Sequence, residues 1–339
     1  MLKASKAMKV AVVGCGAVGS FYGAKLCRAG QETHFLLYTH YAVVKRRGVS
    51  VRSRDGDFHV TPNCAKSPEE IGPSDLVLIG LKTIANDQFP KLLPPLVGPN
   101  TAILTLQNGL GNEESLARIF RPQQIIGGLA FVCLNRINPG NIQHIDHGRI
   151  VIGEFQRPPT PRTEHIAQAF RKCGVPCDIT PNLAQTHWEK LVWNIPFNGL
   201  GVASAAGFEN VLEGNFKASD PLLPCLTTDI LLGDERWANL ARELMGEVVR
   251  GARRLGFNVS DSEIEINIQR TKTMGAYKPS TLVDFERGQR LEIQSMFREP
   301  LLQAQRAGEP MPRLAALVRI LEQLENNAGR AALPRRRSP

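Results

Sequence analysis

Three polar residues, Lys190, Asn194 and Asn198, recur four positions apart. On a helix that interval stacks them along one face. Their neighbours Leu191, Trp193, Ile195 and Phe197 are apolar, so this helix is expected to be mostly buried. A lysine and two carboxamides there need bonded partners or a wet cleft. Together they suit a small polar substrate. The carboxamides orient it without adding charge, and desolvation draws the lysine pKa toward the range of a useful general acid. Pro196 removes one backbone hydrogen bond from the same stretch and is expected to displace Asn198 from an ideal line.

A second signal opens the chain. An apolar run ends at Val13 and is followed by Gly14-Cys15-Gly16-Ala17-Val18-Gly19. Here G-x-G-x-x-G follows a strand and opens a helix, the context of a dinucleotide loop. Gly14 would make the tight turn, Gly16 would let a pyrophosphate reach the backbone, and Gly19 would let the helix pack close. Backbone N–H groups of this loop and of the helix start then face the phosphates.

Further candidates lie at strand ends, where ligands bind in such sheets. Lys82 follows the strand ending at Leu81 and is a candidate phosphate partner. Asn108, in Gln107-Asn108-Gly109-Leu110-Gly111, is placed to bond both cofactor and substrate. The second strand ends in Leu37-Tyr38-Thr39-His40, which offers neither the acid of NAD sites nor the Arg of many NADP sites. Without the acid there is no repulsion against a 2′-phosphate, which favours NADPH over NADH. Lys45 and Arg46 on the next helix read as solvated. Ser280 and Glu292 read, on spacing alone, as ordinary surface residues. The combination points to a nicotinamide-dependent reductase.

These residues need a scaffold. Residues 8–13, 33–37, 75–81, 101–106, 125–132 and 150–153 read as strands, with helices between most of them, the first over 20–28. That alternation predicts an α/β fold: a Rossmann-type, doubly wound parallel sheet over residues 8–180. Beyond Thr180-Pro181-Asn182 strand-like runs become rare. Long amphipathic stretches over 237–255 and 282–307 predict an all-helical domain over 181–326. Residues 327–339, including Arg335-Arg336-Arg337, are expected to form a disordered basic tail.

Composition narrows the class. A length of 339 residues predicts about two domains. No apolar run is long enough for a bilayer, so no membrane partner is expected. Residues 1–8 lack the apolar core of a secretory signal, which predicts a cytoplasmic protein. The seven cysteines are scattered, and Cys173 and Cys177 have C-x3-C spacing with no second pair. They are expected to be reduced thiols, with no metal site. The net charge of +9 would suit nucleic acid, but aromatic residues are only 6% and no nucleic-acid motif occurs. A basic cleft for an anionic cofactor and substrate explains the excess as well. The oligomeric state is not readable, and a homodimer stays open.

The chain resembles the ketopantoate reductase (2-dehydropantoate 2-reductase) family over about residues 8–320. The carriers are Gly14-x-Gly16-x-x-Gly19, Leu81-Lys82, Gln107-Asn108-Gly109, Lys190-x3-Asn194-x3-Asn198 and Ser280-x3-Asp284-x7-Glu292, in the family order. The resemblance implies NADPH-dependent reduction of a 2-oxo acid, ketopantoate, to pantoate for pantothenate and coenzyme A synthesis. It implies Lys190 as proton donor to the alkoxide formed when hydride reaches C2. Asn108 would touch nicotinamide and substrate, Asn194 and Asn198 would hold the substrate's hydroxyl and carboxylate end, and Ser280 would bind the carboxylate. Glu292 would lie near Lys190 and the nicotinamide ribose, and Lys82 would contact the adenosine phosphate. The active site would occupy a cleft between the two domains that closes over the ternary complex. Two departures stand out. Many relatives carry an Arg around the position of Tyr38, and residues 199–204 are not the commonest version. Two alternatives stay open: a reductase of another branched 2-oxo acid, and a non-catalytic NADP(H)-sensing protein.

Overall fold

The structure, a computed structural model, describes residues 7–332. The chain divides into two compact units, Met1–Leu183 and Ala184–Pro339.

Among its described residues the first unit holds ten strands: β1 (Lys9–Val13), β2 (Glu32–Leu36), β3 (Val49–Ser53), β4 (Phe58–Val60), β5 (Asn63–Ala65), β6 (Ser74–Ile79), β7 (Val97–Thr105), β8 (Ile125–Asn138), β9 (Asn141–Glu154) and β10 (Cys177–Ile179). Their order is β4-β3-β9-β8-β7-β6-β1-β2-β5, with β10 also paired to β9. From β5 through β8 every neighbour is parallel. The sequence explains this core. Val10 and Val12 with Leu76 and Leu78 enter one apolar cluster, while Ala11 and Val13 with Val77 and Ile79 enter another. Successive side chains point to opposite faces and both faces are covered, as a parallel sheet requires.

The remainder of the sheet departs from the expected all-parallel pattern. β8 and β9 are 14-residue strands paired antiparallel, so the sheet is mixed. The reading from sequence stopped at residue 132 because polar residues follow. Along β9, however, exposed and buried positions alternate at first, and one face alone enters the core. Such alternation is how a half-solvated antiparallel strand reads. The turn at Asn138-Pro139-Gly140-Asn141 joins the pair. The hairpin closes over helix α1 (Ala17–Arg28): Tyr22 Oη donates to the Gly148 carbonyl at 3.2 Å, and the Phe21 and His144 rings lie 4.7 Å apart.

Glu154, at the end of β9, ties the sheet to helix α2 (Pro161–Lys172). Its buried carboxylate accepts from Thr160 Oγ1 at 2.9 Å and Thr163 Oγ1 at 2.5 Å. Arg157 and Arg162 donate to it at 2.8 and 2.6 Å.

Among its described residues the second unit is all-helical. The helices used below are α3 (Leu183–Ala203), α4 (Glu235–Arg254), α5 (Ser262–Lys272), α6 (Ser280–Glu286), α7 (Glu299–Arg306) and α8 (Pro312–Ala332). The stretch 282–307, expected as one helix, is broken. Gly288 takes φ 63°, its N–H bonds the Phe285 carbonyl, and Gln289 N–H bonds the Asp284 carbonyl, both at 2.9 Å. This paired closure ends α6. The chain becomes helical again at Ile293 and the π turn Gln294–Arg298, which runs into α7. Helix α8 is capped by Glu247 of α4, which accepts from the N–H groups of Arg313 and Leu314 at 2.8 and 2.9 Å. It extends to Ala332, past the expected boundary at 326, so the tail is helical to that point. Arg335-Arg336-Arg337 lies outside the described residues.

All seven cysteines are free thiols. Among the described residues no helix is long and apolar enough to cross a membrane, and no metal-ligating cluster of His, Cys, Asp or Glu occurs.

Burial works against the Glu154 charge, but hydrogen bonds from Thr163, Arg157 and Thr160 and the charge of Arg162 outweigh it, and its pKa is lowered. A lowered folded-state pKa stabilises the fold above the unfolded value of about 4.5, and that gain is lost as pH falls through the folded value. Glu154→Gln should therefore lower the thermal midpoint at neutral pH by an amount worth about 1–3 kcal/mol. The gap to the parent protein should narrow below about pH 4.5, and a gap independent of pH would refute this account.

Candidate functional site

The loop Gly14–Gly19 shows why each glycine is there. Gly14 has φ 95°, and a Cβ on it would lie 2.3 Å from Leu81 N. A Cβ on Gly19 would lie 2.2 Å from the Gly14 carbonyl oxygen. Both are excluded by the protein's own packing. Gly16 is different: a Cβ there would meet nothing closer than the Gly80 oxygen at 4.0 Å. It caps α1 with φ −74°, a value open to any residue. The space over Gly16 thus suits a ligand, and its position at a helix N-terminus suits a pyrophosphate. Cys15, Ala17 and Val18 complete the loop, and Cys15 Sγ donates to the Leu36 carbonyl at 3.5 Å. Sequence reasoning missed Gly80, at the end of β6, whose Cβ would lie 2.7 Å from Gly19 N. The signal was a glycine directly after an apolar strand.

Lys82 and Asn108 stand after β6 and β7, neighbouring parallel strands, and both are half-buried. A row of carboxamides joins their loops. Gln107 Nε2 donates to Asn86 Oδ1 at 2.8 Å, Asn86 Nδ2 to Asn112 Oδ1 at 2.9 Å, and Asn112 Nδ2 to the Asn108 carbonyl at 3.1 Å. Thr105 Oγ1 donates to Gln107 Oε1 at 2.9 Å. Asn86 and Asn112 carry no motif, so spacing could not have singled them out.

In the helical unit, Lys190, Asn194 and Asn198 all lie on α3, which continues through Pro196. Lys190 as a residue is half-buried, and desolvation of its ammonium lowers the pKa from 10.5 to about 8. Asn194 is 6% exposed, and no hydrogen bond joins its side chain to another described residue. Asn198 is 3% exposed, and its Oδ1 accepts from Thr281 N–H at 3.1 Å and Ser280 Oγ at 3.3 Å. A backbone N–H can only donate, so this bond fixes which end of the carboxamide is oxygen. Asn198 and exposed Ser280 are thus brought together at the start of α6. Glu292 is buried, not a surface residue as its spacing alone suggested. Trp193 anchors the other side of α3, with Nε1 donating to Thr271 Oγ1 of α5 at 2.8 Å.

The arrangement offers an unfilled space over Gly16 at a helix N-terminus in one unit. In the other it offers a titratable ammonium with two carboxamides on one helix. Comparison with known proteins matches both units. A family model described as ketopantoate reductase PanE/ApbA matches residues 10–157, and one described as ketopantoate reductase PanE/ApbA C terminal matches 182–325. A 2-dehydropantoate 2-reductase of Nostoc sp. is 36% identical, over 94% of this chain and 95% of that protein. The crystal structure of 2-dehydropantoate 2-reductase from Geobacter metallireducens GS-15 is 44% identical, covering 93% of this chain and 99% of that one, with TM-score 0.84. That from Methylococcus capsulatus is 30% identical, covering 94% and 97%, with TM-score 0.83. Matched by that family's models in both units and similar to its members over nearly its whole length, the chain belongs to the ketopantoate reductase PanE/ApbA family.

Proposed function

We propose that this chain uses NADPH to reduce the 2-oxo acid ketopantoate to pantoate, with Lys190 as the proton donor. The observation that carries the reading is the Lys190 ammonium, desolvated to a pKa of about 8 on a helix that also bears Asn194 and Asn198. Relatives of this family are named 2-dehydropantoate 2-reductases.

The bound cofactor would supply hydride to the C2 carbonyl. Negative charge then grows on the carbonyl oxygen, and the Lys190 ammonium both stabilises it and delivers a proton from Nζ. At neutral pH a lysine of pKa about 8 is mostly protonated yet releases its proton readily. The Asn198 oxygen is committed to Thr281 and Ser280, so its Nδ2 donors are what it offers a substrate hydroxyl or carboxylate. Asn194 offers both ends of its carboxamide. Ser280 can turn its single proton from Asn198 to a substrate carboxylate. Asn108 serves nicotinamide and substrate, with its backbone held by Asn112. Glu292 serves Lys190 and the nicotinamide ribose, while Lys82 and the loop Gly14–Gly19 serve the adenosine phosphates.

Loss of reduced-nicotinamide absorbance with ketopantoate, run beside 2-oxoisovalerate and beside NADH, tests the reading. Fastest turnover with ketopantoate and NADPH is expected. Preference for 2-oxoisovalerate would move the chain to another branched 2-oxo acid. Lys190→Ala should lower kcat by about a hundred- to ten-thousandfold while NADPH affinity is kept. In the parent protein kcat/KM should fall as pH rises above about 8, as the acid loses its proton. Wild-type turnover by Lys190→Ala would assign the acid elsewhere. Gly16→Ala should keep the cofactor-free thermal midpoint but bind NADPH at least about tenfold more weakly, since a side chain there collides only with the ligand. Gly19→Ala should instead lower the midpoint itself.

A further inference from the structure

The end of β2 carries no charge to read the ribose of a dinucleotide, and Tyr38 there is 59% exposed. Cations arrive from three other elements. Leu37 N–H bonds the Ala65 carbonyl at 2.9 Å, which sets the end of β2 beside the end of β5 and brings Lys66 alongside. Lys66 Nζ lies 4.9 Å from the centroid of the Tyr41 ring. Lys45 Nζ lies 5.2 Å from the same centroid and donates to Tyr41 Oη at 2.8 Å. Two ammonium groups on one ring repel each other unless an anion joins them. Glu70 accepts the Lys66 backbone N–H at 3.2 Å and its charge also acts on Lys45, so one carboxylate faces two ammonium groups.

The third cation is Arg136 of the hairpin. The pairs Leu134–His144, Asn135–Gln143 and Arg136–Ile142 run without a register shift, so Arg136 shares a face with Leu134. Leu134 packs on the same apolar cluster as Cys15, Tyr41 and Cys64. Ser50 N–H bonds the Gly140 carbonyl at 2.8 Å, and a Cβ on Gly140 would lie 2.8 Å from the Gly48 oxygen, which seats the hairpin turn beside the end of helix Tyr41–Arg47. The Arg136 charge is felt at the Cys15 thiol inside the phosphate loop. Among the described residues Arg136, half-buried as a residue, has no carboxylate partner and no side-chain hydrogen bond. A guanidinium is suited to a planar, bidentate anion contact.

We propose that the monoester phosphate on the adenosine ribose of an NADP-type cofactor is bound by Arg136 of the hairpin together with Lys45 and Lys66 across Tyr41. Cofactor choice then resides outside β2, which carries no Arg. The proposal rests on the NADPH reading above and names the residues that select the phosphate.

The test is calorimetric titration of NADPH and of NADH into the parent protein, Arg136→Gln, and the Lys45→Gln/Lys66→Gln double variant, whose sites are exposed and tolerant. Each variant should bind NADPH about ten- to a hundredfold more weakly, with NADH affinity unchanged. If the parent prefers NADPH and both variants keep that preference, the phosphate is read elsewhere and only this inference falls. Equal weakening of both cofactors would make Arg136 a support of the fold and overturn its selective role. A parent protein that binds NADH as tightly as NADPH would overturn the subsite and the NADPH reading together.

Discussion

The first unit depends on one close contact between backbones. Gly14, Gly19 and Gly80 bring the end of β1, the start of α1 and the end of β6 together at distances that a single Cβ would forbid. Because α1 sits so low on the sheet, its residues from Gly19 to Leu26 are all buried. The hairpin of β8 and β9 can then fold over its outer side. The same contact leaves Gly16 at the helix tip with nothing of the protein above it. Tight packing at Gly14, Gly19 and Gly80 thus creates the open cradle at Gly16.

The second unit is built around the opposite problem, polar groups inside an apolar helix. Helix α3 carries Trp188, Leu191, Val192, Ile195 and Phe197 into the core. Burying a carboxamide without partners costs free energy, so each polar residue on α3 needs a use. Asn198 finds one within the protein, fastening α3 to the first turn of α6. Asn194 has none among the described residues, and Lys190 is left with a depressed pKa. Stability therefore accounts for Asn198 but gives no reason to keep Asn194.

Much of this was legible in the residues. The parallel strands announce themselves because both faces are apolar, and the glycine loop because its spacing is fixed by a strand-to-helix turn. The Lys190 ladder was legible from its four-residue interval. The antiparallel hairpin was not, because a half-solvated strand with polar residues such as Asn135, Gln143 and Asp146 reads as a loop. The break at Gly288 was hidden within an amphipathic run. Glu292 read as surface because a lone acid gives no sign of what covers it. Asn86 and Asn112 were invisible because their pairing joins residues 26 apart in the chain.

A primary carboxamide has a donor end and an acceptor end, so the row from Gln107 through Asn86 and Asn112 to the Asn108 carbonyl has a direction. Every amide in it gives its proton onward the same way. No member can rotate alone without setting two oxygens or two nitrogens face to face. The loops that follow β6 and β7 are therefore fastened by one directed row, which runs from Gln107 through Asn86 and Asn112 to the backbone of Asn108.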